Sequence, residues 1–191
     1  MEEKIKLTPY DKVIKYFLPI IPKKLKPNHV TFFRLLMSPF LIVLFLTDQY
    51  ETALIWFIVL AFTDMLDGAM ARLRNQITDW GKIWDPIADK ILIGIVVVML
   101  LLDVNIGLTI LLLGFEATFI LGGAFMKITT HGEANVQANL WGKLKMGLQC
   151  IGAGMLILAV IFNWPLVTFS AQLVLYASIL FAAMSMSKNG I

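Results

Sequence analysis

Long apolar runs alternate along this chain with short polar interruptions, and the length of the runs decides how they are read. Six stand out, approximately Val30–Thr47, Glu51–Asn75, Gly81–Leu102, Ile106–Ile128, Asn139–Phe162 and Leu166–Ser187. Each is near the roughly 20 residues that a helix needs to cross a bilayer. The interruptions are Asp48-Gln-Tyr, the Asn75–Asp79 turn, Asp103-Val-Asn105, the His131–Gln137 loop and Asn163-Trp-Pro165. Ahead of the first run, Thr8-Pro9 has the form of a helix start, with Thr8 as N-cap and Pro9 in the first helical position. Val13, Ile14, Phe17 and Leu18 then alternate with Lys12 and Lys15 at helical spacing, which suits a helix lying on a membrane surface. Pro19, Pro22 and Pro27 end it. The predicted fold is all-α and integral to the membrane: six transmembrane helices preceded by an N-terminal amphipathic surface helix. We expect one domain over residues 1–191, with 1–27 juxtamembrane and 28–187 forming the six-helix bundle.

Composition agrees with this reading. The chain is 59% hydrophobic and 15% charged, against roughly 25% charged in soluble domains, and its mean hydropathy is +0.80. One cysteine, Cys150, rules out an internal disulfide. The first residues carry charges throughout, so no cleavable signal peptide is expected. The sixteen Lys and Arg residues lie before or near the start of the first run, around the second-to-third and fourth-to-fifth turns, or at the C-terminal end. The opposite turns hold only Asp48, Glu51 and Asp103 as charges. Six spans with both termini and any active site on the cytoplasmic side, in the plasma or inner membrane, satisfy the positive-inside rule. The N-terminal lysines then read as contacts to anionic membrane lipids, and nucleic acid is not an expected partner.

Acidic residues are what the hydropathy pattern leaves unexplained. Asp64 and Asp67 fall in the second run and Asp85 and Asp89 in the third. An ionised Asp at the centre of a membrane helix costs about 2.5–3.5 kcal/mol on insertion scales, so such residues mark function by default. Spacings of three and four put each pair on one helical face. Two facing pairs make an oxygen-rich site for hard divalent cations, and carboxylates around two cations suit phosphoryl chemistry. Gly68, costly inside a helix by about 1 kcal/mol relative to Ala, opens with Ala71 a strip where a ligand can approach the backbone. Arg72 brings a planar fork for a phosphate to the same side.

The pattern Asp64-x2-Asp67-Gly68-x2-Ala71-Arg72-x8-Gly81-x3-Asp85-x3-Asp89 resembles the signature of the CDP-alcohol phosphotransferase family, with all eight fixed positions present. The six-span layout is similar as well. The resemblance implies transfer of a phosphatidyl-type group from a CDP-linked lipid donor to a small polar alcohol acceptor, with release of CMP. It implies two divalent cations, Mg2+ or Mn2+, held by Asp64, Asp67, Asp85 and Asp89, with Asp89 also the base on the acceptor hydroxyl. Gly68, Ala71, Arg72 and Thr78 would lie along the CDP-lipid, and Asn28 and Thr31, in a segment similar to the P-N-x-x-T-x-x-R start of the family's first span, would line the nucleotide pocket. A homodimer is implied too.

For the acceptor, Gly142-Lys143-Leu-Lys145-Met146-Gly-Leu-Gln149 is similar to the G-K-x-K-T-x-x-Q segment of phosphatidylglycerophosphate synthases, with Met146 in place of Thr. The Arg-Glu pair frequent in the fourth span of those enzymes is here Phe115-Glu116. Arg34, Lys127, Lys143 and Lys145 are the cations expected for a phosphorylated acceptor, glycerol-3-phosphate first, with inositol phosphate or another polar alcohol as alternatives. Arg34 has a second reading as a side chain snorkelling to lipid headgroups, and Lys143 and Lys145 as membrane-surface anchors. Glu116, mid-span, has no partner assigned by sequence. A divalent-cation transporter is the alternative of another class, but it would place midplane ligands in both halves of the chain, whereas these acids share one half.

Overall fold

A computed structural model describes residues 11, 14–16, 18, 21, 22, 24–129 and 140–189, without the side chains of residues 82, 123–129, 188 and 189. The Thr8-Pro9 helix start and the His131–Gln137 loop lie outside the described residues. From Pro27 onwards the described elements are all helices: α1 (Pro27–Met37), α2 (Phe40–Leu46), α3 (Tyr50–Leu73), α4 (Asp79–Leu101), α5 (Ile106–Thr129), α6 (Leu140–Phe162) and α7 (Pro165–Asn189).

Three of the polar turns end their helices by a shared device. Asp48, Asn75 and Asn163 adopt φ of 55, 52 and 50°, a left-handed conformation that Asn and Asp tolerate better than other side-chain-bearing residues. Beyond each, the next amide donates back into the last helical turn: Gln49 to the Leu44 carbonyl, Gln76 to that of Ala71 and Trp164 to that of Ala159, at 2.9, 2.9 and 3.0 Å. This closes the helix in the manner of a Schellman motif without glycine.

The first predicted run, Val30–Thr47, is two helices rather than one. Pro39 lacks an amide hydrogen and its ring crowds the carbonyl four residues back, so α1 ends at Met37 and α2 begins at Phe40. The Ser38 amide and hydroxyl both donate to the Arg34 carbonyl, at 2.9 and 2.7 Å. Trp56 on α3 donates from Nε1 to the Met37 carbonyl at 3.3 Å and meets Phe33 and Phe40 edge-on, which braces the break from both sides.

Among the described residues, four segments are long and apolar enough to cross a membrane: Pro27–Leu46, Tyr50–Leu73, Leu140–Phe162 and Pro165–Ser187. The described apolar stretch of α5, Ile106–Gly122, is shorter. α4 is interrupted by Asp79, Lys82, Asp85, Asp89 and Lys90, the residues that give it chemistry. Leu46, Ile55, Leu121, Leu166 and Leu180 are all more than half exposed, an arrangement costly in water and suited to lipid.

The chain divides into two compact units, Met1–Leu92 and Ile93–Ile191. In the first, α1 and α2 pack on α3, around Leu41, Ala53, Leu60, Ala69 and Met70, none of which reaches the surface. In the second, α7 packs on α6 and α5, over a core of Val97, Leu101, Leu108, Leu112, Leu156, Ala171 and Leu175. Gly152 permits the α6–α7 approach, since a Cβ there would stand 2.7 Å from Leu175 Cδ2, and small residues are what let membrane helices close on each other.

Candidate active site

Three helices of the first unit each contribute a pair of polar side chains at helical spacing. α3 carries Asp64 and Asp67, α4 carries Asp85 and Asp89, and α1 carries Thr31 and Arg34. The structure brings all six together. Arg34 is completely buried, and its Nη1 lies 2.6 Å from Asp64 Oδ1 and 3.3 Å from Asp89 Oδ1, while Nη2 lies 3.4 Å from Asp67 Oδ2. Thr31 Oγ1 donates within reach of Asp67 Oδ2 at 2.9 Å and Asp85 Oδ1 at 2.7 Å. A hydroxyl has one proton, so it serves one of these carboxylates at a time. Arg34 therefore does not snorkel, and it is enclosed by acids rather than presented to an acceptor. Thr31 likewise faces carboxylates.

The four carboxylates differ in access. Asp67 has 2% of its side chain exposed, Asp89 14% and Asp64 40%, so the cluster is sealed at Asp67 and opens at Asp64. Burying a cation and several anions is tolerable only because they neutralise one another, and here one guanidinium faces three acids, with the fourth, Asp85, on Thr31. The donor set is made of hard oxygens, the kind Mg2+ and Mn2+ take. Asp67 Oδ1 is buried with no hydrogen-bond partner, an acceptor that a cation would satisfy. These residues fit a divalent-cation site in chemistry. Among the described residues, no three His, Cys, Asp or Glu side chains are drawn up as a finished metal cage, and the cation lying among the acids is Arg34.

Beside the cluster, the turn between α3 and α4 meets the start of α1. Thr78 donates to Asn28 Oδ1 at 2.8 Å and accepts from the Gly81 amide at 3.0 Å. A Cβ on Gly81 would approach Thr78 Oγ1 to 3.2 Å, Asn28 Oδ1 to 3.4 Å and Asp85 Oδ2 to 3.5 Å, which is why the signature has glycine there. Lys26, Pro27, Asn28, Gln76, Ile77 and Thr78 line a cavity of about 220 Å³. Asn28 and Thr78 are thus neighbours on one small cavity.

Arg72 departs from expectation. Its Nε and Nη2 donate to Oδ2 and Oδ1 of Asp11 at 2.9 and 2.8 Å, so its fork is engaged by a carboxylate of the chain. Gly68 makes room for it: a Cβ at 68 would lie 3.3 Å from Arg72 Nη1. Ala71 is half-buried beside it. Sequence reasoning missed Asp11 altogether. Its partner lies 61 residues away, and the signal was limited to an acid set among the lysines of the segment before the first run.

The acceptor-side candidates fall in the second unit. Lys143 is exposed on α6, and the side chain of Lys127 lies outside the described residues. Lys145 is buried, ion-paired to Glu116 on α5, with its Nζ 4.3 Å from the centre of the Phe119 ring. Gln149 Nε2 donates to the same Glu116 Oε1 at 2.8 Å. Glu116, unassigned by sequence, thus has two partners on α6, and Lys145 is held by an acid instead of facing solvent. The missed signal was arithmetic: one mid-helix acid on α5 requires a cation, and Lys145 is the deeper of two on α6.

Comparisons with known proteins bear on this site. The family pattern described as CDP-alcohol phosphatidyltransferase matches residues 24–184. A relative from Rickettsia typhi, named CDP-diacylglycerol--glycerol-3-phosphate 3-phosphatidyltransferase, is 34% identical over 135 residues, covering 69% of this chain and 75% of its own length. Relatives of the same name come from Aquifex aeolicus, 36% identical over 104 residues with coverages of 52% and 58%, and from Bacillus subtilis, 29% identical over 185 residues with coverages of 85% and 94%. The matched span contains every member of the acidic cluster.

Proposed function

Because the chain belongs to the CDP-alcohol phosphatidyltransferase family, we propose that it moves the phosphatidyl group of CDP-diacylglycerol to glycerol-3-phosphate and releases CMP, a step of membrane phospholipid biosynthesis. The observation that carries this reading is the convergence of Asp64, Asp67, Asp85 and Asp89 on Arg34 and Thr31. The acceptor is chosen from the names of the relatives. The protein is an integral membrane transferase.

In this reading Asp64, Asp67, Asp85 and Asp89 hold two divalent cations, Mg2+ or Mn2+. Bound cations supply charge neutralisation for the donor's diphosphate and for the CMP that departs. The residues do the rest. Asn28, Thr78 and the open backbone at Gly81 receive the cytidine end, and Gly68 and Ala71 leave a shallow path for the diphosphate beside Arg72. Asp89 accepts the proton of the acceptor hydroxyl at a carboxylate oxygen. The hydroxyl oxygen bonds to the phosphorus that carries the diacylglycerol, the bond from that phosphorus to the bridging oxygen breaks, and CMP leaves with the electron pair. Arg34 holds Asp64, Asp67 and Asp89 against mutual repulsion while the cluster is loaded. Lys127 and Lys143 recognise the phosphate of the acceptor as cations, and Lys145 acts through its pairing with Glu116.

The same reading places six spans across the membrane, with both termini and the site on the cytoplasmic side by the distribution of Lys and Arg. A surface helix precedes them, the whole chain of 1–191 acts as one domain, and the working assembly is a homodimer. The test is CMP release by purified protein in detergent with Mg2+ and CDP-diacylglycerol, against glycerol-3-phosphate, inositol-1-phosphate, inositol and serine. Release dependent on glycerol-3-phosphate alone is the expected result. Release with another alcohol overturns the acceptor, and no release with any overturns the reaction.

A further inference from the structure

Two arginines at the end of α3 hold the chain that precedes α1. Arg72 engages Asp11 side by side with two nitrogens, at 2.9 and 2.8 Å, and Asp11 is fully buried. Arg74 donates from Nη2 to the Ile21 carbonyl at 2.8 Å, and from Nη1 to the carbonyls of Leu25 at 2.8 Å and Pro22 at 3.5 Å. Three backbone acceptors on one guanidinium fix the path of the chain at Ile21, Pro22 and Leu25 against the end of α3.

That path leads straight into the cavity beside the cluster. Lys26, Pro27 and Asn28 form one wall, and Gln76, Ile77 and Thr78 form the other. Asn28 and Thr78 meet across it at 2.8 Å. The second wall follows α3 directly, so both walls are referred to the same helix end, one by covalent continuity and the other by Arg72 and Arg74. Arg74 uses carbonyls, which every residue possesses. Asp11 is different, because its side chain supplies a bidentate, charge-assisted contact that no neighbour of another type reproduces. A buried carboxylate is costly unless paired, so Asp11 at this place needs Arg72 and keeps it in one orientation, back along α3 over Gly68.

We propose that Asp11 is a positioning residue of the phosphatidyl transfer: by locking Arg72 it seats the segment before α1 on the end of α3 and sets the spacing of the two walls between which the nucleotide of the CDP-lipid is received. The proposal rests on the family reading for the identity of that ligand and on geometry alone for the latch.

The test compares the unmutated protein with Asp11→Asn and Asp11→Glu in detergent. Free CDP affinity and the KM of each substrate are measured, together with hydrogen exchange at the amides of Ile21, Leu25 and Asn28. Asn removes the charge while keeping the shape, so Asp11→Asn should raise the CDP Kd and the CDP-lipid KM about tenfold, the loss typical of one charge-assisted contact. The acceptor KM and kcat should stay within about twofold, since neither depends on that spacing. Exchange should quicken at the three amides, and Asp11→Glu should recover most of each effect. Unchanged exchange in Asp11→Asn overturns the latch, whatever the ligand. Quickened exchange with unchanged or tighter CDP binding overturns the positioning role, and an equal rise in both KM values does the same. If the unmutated protein binds no CDP, the family reading of the cavity fails, and with it the positioning role, while the exchange comparison still decides the latch.

Discussion

Among the described residues, the buried opposite charges around Arg34 and those around Lys145 are built on different balances. In the first unit one guanidinium, Arg34, faces Asp64, Asp67 and Asp89, while Asp85 shares the Thr31 hydroxyl with Asp67. In the second unit Lys145 faces Glu116, with Gln149 sharing the acid's oxygen and Phe119 under the ammonium. The Lys145 pair is formally neutral and closed by a neutral amide. Arg34 leaves acids in excess. A balanced pair inside apolar helices joins α5 to α6, whereas an excess of acids in the same surroundings is costly without additional positive charge. The comparison therefore separates a balanced ion pair from an acid-rich cluster, though both look alike as lone acids in apolar runs.

Substitution sharpens the contrast. The largest effect is expected at Asp89. Asp89→Asn removes the proposed base while keeping the side-chain shape, so turnover should fall by about 10²–10⁴-fold. Donor binding should persist, as equilibrium binding of the CDP-lipid would show. A next, smaller effect belongs to the balanced pair. Lys145→Met alone strands Glu116, and a broken buried pair costs about 3–5 kcal/mol, measurable as a lower melting temperature. Removing both charges with Lys145→Met and Glu116→Gln should restore stability to within about 1 kcal/mol of the parent. No equivalent rescue should exist for the acid cluster: neutralising Asp67 together with Arg34 should restore packing but not turnover. The smallest effect is at the cavity. Gly81→Ala forces Thr78 or Asn28 to give by a few tenths of an ångström, which should raise the CDP-lipid KM about fivefold with kcat unchanged, a cost at the low end for overpacking.

The difference between the two regions also explains what could be read from the sequence. Asp64, Asp67, Asp85 and Asp89 were legible because helical periodicity puts each pair on one face and their spacing is a family signature. Four of the apolar runs were legible as segments able to span, because length separates a spanning helix from a core helix. Arg34 and Thr31 were legible as positions but not in their partners, since a side chain two turns into a helix faces acid, acceptor or lipid according to how that helix is rotated against its neighbours. The partner of Lys145 was hidden for the same reason: its two-residue spacing from the exposed Lys143 turns it by about 200° around α6, away from Lys143 and onto Glu116. The break at Pro39 was in plain view, but the apolar run on either side of it hid the change of helix. Asp11 and Arg72 were the hardest, because a contact 61 residues apart between a surface segment and a signature arginine leaves no periodic trace.

The most direct test of the central contrast is a count of bound Mn2+ by electron paramagnetic resonance on purified protein. The account predicts a pair of Mn2+ ions per chain in the unmutated protein, loss of binding in Asp64→Asn and Asp85→Asn, and full binding in the double substitution of Lys145 and Glu116. Mn2+ binding that survives the aspartate substitutions, or that disappears with the Lys145–Glu116 pair, would contradict it.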